Sequence, residues 1–101
     1  MSALLIVRAQ VAPEDCTAFD QWYQDEHLPD AHRVFGALSA QRGWVEETPG
    51  LHVALYTFPD LAAAQATVSG PGIQDLIAEF DRVWQGRVSR TREVMEIAQS
   101  I

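Results

Sequence analysis

The order in which strand-like and helix-like segments follow one another is the feature that most constrains the fold of this 101-residue chain. Four segments are rich in apolar and β-branched residues, as strands are, and in other segments apolar residues recur every three or four positions, as in amphipathic helices. Turn-forming residues separate the segments, among them the Pro49–Gly50 pair. The predicted strands span residues 3–11, 37–45, 51–58 and 87–97, and the predicted helical segments span residues 13–27, 61–68 and 73–85.

The last two helical segments form one helix that Gly70-Pro71-Gly72 interrupts, because proline between two glycines is poor helix material. The order is then strand, helix, strand, strand, helix, strand, which is the split βαβ, or ferredoxin-like, arrangement. We therefore predict an α+β fold with an antiparallel four-stranded sheet and two helices on one face. The length, with no linker and no further repeat, predicts a single domain over residues 1–101.

The sheet face away from the helices is expected to carry Leu4, Ile6 and Arg8, along with aromatic and basic residues of the other strands. A face with that much apolar character is not normally left in water. We therefore expect a homodimer in which two sheets pack face to face and enclose a partly polar cavity. His52 and Tyr56 share a strand face, and a dimer contact is the favoured interpretation of both.

Composition and charge disfavour several classes of partner. The formal net charge of −7 repels phosphate backbones, so a nucleic acid is not an expected partner. No apolar run approaches the roughly 20 residues that cross a bilayer, so no membrane is expected as a partner either. Cys16 is the single cysteine, which excludes an intrachain disulfide and a cysteine-based metal site and fits a cytoplasmic protein.

His27 is the principal candidate for a catalytic residue. Phe19, Tyr23 and His27 are four residues apart and therefore stack along one face of the first helix. Pro29 disfavours helical geometry in the residue before it, which predicts that the helix stops by residue 28 and that residues 29–36 form a connection. An imidazole, the side chain best suited to proton transfer at neutral pH, is thus expected at a buried helix end.

Two roles for His27 are open from the residues alone. It could act as a general acid or base beside the carboxylates of Asp25, Glu26 or Asp30. Alternatively, it is structural and hydrogen-bonds the helix end, whose negative pole favours a cation. A metal site is not expected, because His27 and His32 lack the one-turn spacing that places two ligands on a single helix face.

Two arginines and three aromatic residues are candidates for substrate contact. Arg42 shares a strand face with Trp44 and could anchor an acidic or enolate substrate, because its guanidinium stays charged. Arg8 offers the same option, and for both arginines the alternative is an interface ion pair with one of the many carboxylates. Tyr23 could donate a hydrogen bond to a carbonyl or phenolate. The candidate substrate contacts are Tyr23, Arg42, Trp44, Arg8 and Tyr56.

One motif on the first helix reads Trp22-Tyr23-x-x-Glu26-His27-Leu28-Pro29, and Gly36, Arg42 and Trp44 follow it. With these residues the chain resembles the dimeric α/β-barrel superfamily, and more narrowly the small EthD-like proteins, which share a tryptophan-tyrosine, glutamate-histidine-x-proline stretch. The resemblance implies a homodimer with a cavity between sheet and helices. It also matches His27 to the histidine of the motif, which is the only catalytic role carried over.

Relatives in that superfamily include cofactor-independent monooxygenases, muconolactone isomerases, chlorite dismutases, and decarboxylases or dehydratases of aromatic polyketides, so the fold does not select one reaction. We expect a cofactor-independent lyase, isomerase or oxygenase that acts on a small aromatic or polyketide-like compound. No cofactor is expected, since haem follows only from superfamily analogy and no motif supports it. The alternatives are a binding or carrier protein for a small hydrophobic metabolite and a structural dimer without a ligand.

Overall fold

A computed structural model of residues 1–101 contains the predicted order of strands and helices. The elements are β1 Ala3–Val11, α1 Cys16–Trp22, α2 Leu28–Phe35, β2 Ser39–Trp44, β3 Leu51–Phe58, α3 Leu61–Val68, α4 Pro71–Trp84 and β4 Val88–Glu96. The four strands form one antiparallel sheet in the order β2-β3-β1-β4, which confirms the ferredoxin-like α+β fold. None of the helices combines the length and apolar character that a membrane crossing requires.

Local chemistry sets several of these boundaries. Asp60 caps α3, because its Oδ1 accepts a hydrogen bond from the Ala63 N–H at 2.8 Å. α4 begins at Pro71, earlier than the expected start at residue 73, because a fixed φ and a missing N–H both suit the first helical turn. Gly50, with φ +81°, closes the turn between β2 and β3, where an added Cβ would clash with the Val11 carbonyl oxygen.

The helical run that carries His27 does not stop before Pro29. A π-helical turn, Tyr23–His27, joins α1 to α2, and the Leu28 N–H donates to the Tyr23 carbonyl five residues back. This wider turn interrupts the i→i−4 ladder just before Pro29, so the proline falls in the first turn of α2 and needs no N–H partner. The predicted helix end at residue 28 and the predicted connection over residues 29–36 are therefore wrong.

The core lies between the helices and one face of the sheet. Along β3 every second residue is buried on this face, in the order His52, Ala54, Tyr56 and Phe58. Helices of the same chain cover these side chains. The interpretation of His52 and Tyr56 as dimer contacts is therefore wrong, and both belong to the interior of one chain.

The other face of the sheet is uncovered and apolar near its centre. Leu4, Ile6, Leu55 and Met95 lie on it, and Met95 is 44% exposed whereas Ile6 is 7% exposed between its neighbours. The expectation that this face also carries basic and aromatic residues of the outer strands is wrong. Side chains directly opposite each other on paired strands share a face of the sheet. Arg42 and Trp44 of β2 stand opposite the core-facing Ala54 and His52 of β3. Arg90 and Arg92 of β4 stand opposite the core-facing Ala9 and Val7 of β1, so all four lie on the inner face.

Candidate active site

His27 projects from the π-helical turn into the space between the sheet and the helices. Its side chain is stacked on Trp22, with ring centroids 4.6 Å apart and an interplanar angle of 19°. Tyr23 and Phe80 meet the same imidazole edge-on, at centroid distances of 4.9 and 5.7 Å. Only 8% of His27 is exposed, so an aromatic cage holds the ring in one orientation.

A cavity of about 30 Å³ lies against His27, between the inner sheet face and helices α2 and α4. That volume holds one or two water molecules. Most of its wall is apolar, and its polar side chains are Tyr23, His27, Tyr56, Arg90 and Arg92. Two of the five predicted substrate contacts, Tyr23 and Tyr56, thus join His27 at one place.

A wider groove of about 250 Å³ adjoins this cavity along the edge strand β4. The cavity and the groove share Leu5, Ile73, Ile77 and Arg92 as wall residues. A ligand of the size of a substituted benzene ring can therefore lie in the groove and direct one group towards His27.

His27 is neutral at physiological pH. Its pKa is lowered from 6.5 to about 4, chiefly by burial and then by the charge of Arg90, and the charges of Asp30 and Glu79 offset only part of this. The ring forms no hydrogen bond or ion pair with a carboxylate, contrary to the expectation for Asp25, Glu26 or Asp30. Asp25 instead accepts a hydrogen bond from Gln21 and Asp30 pairs with Arg33. The imidazole can therefore accept a proton from a ligand.

The two tyrosines of the cavity keep their protons. Burial raises the pKa of Tyr23 to about 12, although a hydrogen bond with Tyr56 and the charges of Arg90 and Arg42 oppose the change. Burial also raises the pKa of Tyr56, and its contact with Tyr23 adds to the effect. Tyr56 is the donor in its contact with Tyr23, so the Tyr23 hydroxyl is the one that can donate a hydrogen bond to a ligand oxygen at neutral pH.

Arg90 is a site residue that the sequence analysis did not single out. Its guanidinium carbon lies 3.8 Å from the centroid of the Phe80 ring, and its side chain is 14% exposed. Asp81 is its carboxylate partner, with an N–O distance of 3.4 Å. The available signal was the alternation of Val88, Arg90, Arg92 and Val94 along β4, which places both arginines on the face of the apolar residues.

Arg42 and Trp44 lie on the inner face but outside the cavity wall. Asp20 of α1 accepts hydrogen bonds from Arg42 Nη1 and Trp44 Nε1 through the same oxygen, each at 2.8 Å. The Arg42 contact, followed by that of Trp44, lowers the pKa of Asp20. His52 Nε2 lies 3.4 Å from Arg42 Nη1. The charge of Arg42 is therefore compensated within the chain and ties β2 to α1.

Arg8 is the one candidate that lies on the outer sheet face. It lies on the outer sheet face opposite Thr91 of β4 and forms an ion pair with Glu93. The sheet separates it from His27. No group of three histidine, cysteine or acidic side chains converges anywhere in the chain in a way that could hold a metal ion.

Several solved structures share the fold of this chain. An EthD (ethyl tert-butyl ether d) family protein from Bacillus halodurans is 18% identical, with a TM-score of 0.73 over 96% of this chain and 99% of that one. A candidate antibiotic biosynthesis monooxygenase from Deinococcus radiodurans is 14% identical, with a TM-score of 0.71 over 98% and 95% of the two chains. SnoaB, a cofactor-independent oxygenase from Streptomyces nogalater, is 11% identical, with a TM-score of 0.64 over 99% and 96%.

These similarities extend over nearly the whole of each chain and confirm, for the fold, the resemblance that the first-helix motif predicts. At sequence identities below one fifth, such structural similarity shows a shared fold and does not show a shared reaction. No protein-family model and no curated protein sequence matches the chain.

Proposed function

We propose that this protein is a cofactor-independent enzyme that transfers a proton on a small aromatic or polyketide-like compound. One observation carries the proposal: a buried, neutral imidazole without a hydrogen-bond partner faces a cavity beside two tyrosine hydroxyls. The ring nitrogens of His27 are not sealed off by protein atoms, in contrast to His52 Nδ1 and Trp84 Nε1, which are fully buried without a partner, so a ligand in the cavity can reach them. A substrate proton is the partner that this arrangement fits.

In the proposed reaction, His27 accepts a proton from an acidic C–H or O–H of the bound compound and becomes an imidazolium. The electron pair left behind is delocalised onto a substrate oxygen. Tyr23 can donate a hydrogen bond to that oxygen, and the positive charge of Arg90 stabilises the anion in a site of low dielectric. The anion then takes the proton back at another position, expels a leaving group or reacts with dioxygen.

The description of SnoaB as a cofactor-independent oxygenase supports the oxygenase branch of this proposal. An apolar wall and a fixed aromatic cage around His27 would orient a planar substrate and exclude bulk water from the anion. The competing function is a carrier that binds the same class of compound in the groove without reaction.

A proton-exchange assay separates these functions. The metal-free protein, treated with a chelator, is incubated in deuterated buffer with a panel of hydroxylated aromatic ketones. We expect at least one compound to incorporate deuterium, or to consume dioxygen, faster than it does in buffer that contains free imidazole. Binding of several compounds with exchange no faster than in that buffer would contradict the enzyme and favour the carrier.

We further propose that the chain forms a homodimer through the uncovered sheet face. Leu4, Leu55 and Met95 leave an apolar surface there, and two copies packed face to face would remove it from water. A stable interface of this kind buries at least about 1,200 Å² in total. Ile6 is already buried in the single chain, where only 7% of it is exposed, so a charge at Ile6 would disturb folding as well as association.

A pair of surface variants tests the dimer. Met95→Asp places a carboxylate on the uncovered sheet face, and we expect it to shift sedimentation velocity profiles at micromolar concentration from dimer to monomer. Leu38→Asp is the matched control, because Leu38 is also exposed, at 66%, but lies beside α2 and away from that face. A native chain that sediments as a monomer, or a dimer that both variants disrupt equally, would contradict this interface.

A further inference from the structure

The pairing of charges in this chain leaves one arginine without a partner. All seven basic residues are arginines, against fourteen acidic residues. Six of the seven form an ion pair with a carboxylate: Arg8, Arg33, Arg42, Arg82, Arg87 and Arg90. Arg92 forms neither an ion pair nor a side-chain hydrogen bond. With two acids for every base, a surface arginine readily finds a carboxylate, so an unpaired one is notable.

Arg92 lies where the cavity beside His27 meets the groove along β4, and it lines both of them. It stands opposite Val7 on the inner sheet face. The acidic residue nearest in sequence, Glu93, also borders the groove, but it stands opposite Ile6 in the sheet and pairs with Arg8. The charged residues of the cavity wall are both arginines, so this wall is positive in a protein whose formal net charge is −7.

A second guanidinium strengthens this positive region. Arg90 lines the cavity two residues away on the same strand face. Burial lowers the pKa of Arg90, and the charge of Arg92 lowers it further against the opposing charge of Asp81. Asp81 is the single carboxylate paired with either of them. Two like charges held close together repel each other, and an anionic ligand between them would relieve that repulsion.

We propose that Arg92 binds a carboxylate group of the substrate, which makes the substrate an aromatic acid. This inference rests on the proposed function and specifies its substrate class. A guanidinium matches a carboxylate with two parallel N–H···O bonds, and so fixes orientation as well as charge. The aromatic ring then lies against Ile73 and Ile77, and a ring substituent reaches towards His27.

Two nearly isosteric probes test the anchor by isothermal titration calorimetry. Salicylate carries a carboxylate, and 2-hydroxybenzyl alcohol replaces it with a neutral CH₂OH group. We expect the native protein to bind salicylate about tenfold more tightly than the alcohol, which is the lower range for a charge-assisted hydrogen bond. Arg92→Gln should abolish this preference and leave the affinity for the alcohol within about twofold.

Arg82→Gln is the matched control. Arg82 lies on the exposed side of α4, is paired with Glu79 and lines neither the cavity nor the groove. Its removal changes the net charge by the same amount, so we expect the full preference for salicylate to persist. Equal loss of the preference in both variants would assign it to net charge alone and overturn the anchor.

Other results distinguish this inference from the proposed function. Equal binding of the two probes by the native protein, or binding of neither, overturns the anchor, and turnover that depends on His27 would still support the enzyme. A preference that depends on Arg92, in a protein whose turnover is insensitive to His27, supports the anchor and contradicts the proposed proton transfer.

Discussion

Replacement of His27 by asparagine should lower kcat/KM for the aromatic substrate by about 10²–10⁴, the usual contribution of a positioned acid or base. Asparagine keeps a planar polar group at the same distance from the backbone but cannot accept a proton at neutral pH. The aromatic cage of Trp22, Tyr23 and Phe80 should still close around it. Steady-state rates, together with circular dichroism and the thermal midpoint, measure the two effects separately.

His32→Asn is the control for this variant. His32 lies on α2 and is exposed, so the same substitution five residues away should leave the rate unchanged. The native rate should also stay flat from about pH 6 to 8, because the pKa of His27 is lowered to about 4. A folded His27→Asn variant with the native rate would make His27 structural. A rate that falls through pH 6.5 would contradict the buried, neutral imidazole.

Lowering the pH from 7 to 4 should destabilise the fold by several kcal/mol through two histidines. Burial lowers the pKa of His27 and of His52 from 6.5 to about 4 in the folded state, and Arg90 and Arg42 add to the respective effects. The unfolded chain therefore takes up protons first as the pH falls below 6.5. The contribution of the neutral histidines to the free energy of unfolding is fully present above that pH. It is lost between pH 6.5 and 4, by about 3 kcal/mol for each histidine.

A loss of this size is comparable with the total stability of a domain of this length, so acid unfolding is expected within that range. Urea denaturation at pH 7, 6, 5 and 4.5 measures it. His27→Asn should remove about half of the pH dependence, whereas His32→Asn should leave it intact. The ion pair of Asp20 is lost only at still lower pH, because the Arg42 contact lowers the pKa of Asp20 and keeps this carboxylate ionised. A free energy of unfolding that is constant from pH 7 to 4.5 would contradict the burial of both imidazoles as neutral groups.

Elements with purely local signals could be predicted from the sequence. Residues 51–58 and 61–68 were predicted as a strand and a helix with the bounds that the structure has. The first segment is rich in β-branched and aromatic residues and the second has the Asp60 cap. Both signals lie among neighbours in the chain, so they do not depend on the rest of the fold. The element order, and with it the ferredoxin-like topology, follows from such segments.

The candidate base could also be predicted, because the four-residue spacing of Phe19, Tyr23 and His27 determines which side of a helix these residues share. The course of the chain beyond His27 could not be predicted from the sequence. Proline normally ends a helix, and the π-helical turn that accommodates Pro29 is stabilised by contacts of Tyr23 and His27 with residues distant in sequence, among them Phe80.

Only the tertiary structure decided which arginines belong to the site. Alternation along a strand divides its residues between two faces but does not say which face the helices cover. Arg42 is neutralised because α1 brings Asp20 to it, whereas Arg8 lies on the uncovered face. Arg90 and Arg92 reach the cavity because β4 pairs with β1. Charge compensation depends on distances between residues far apart in sequence, and folding alone sets those distances.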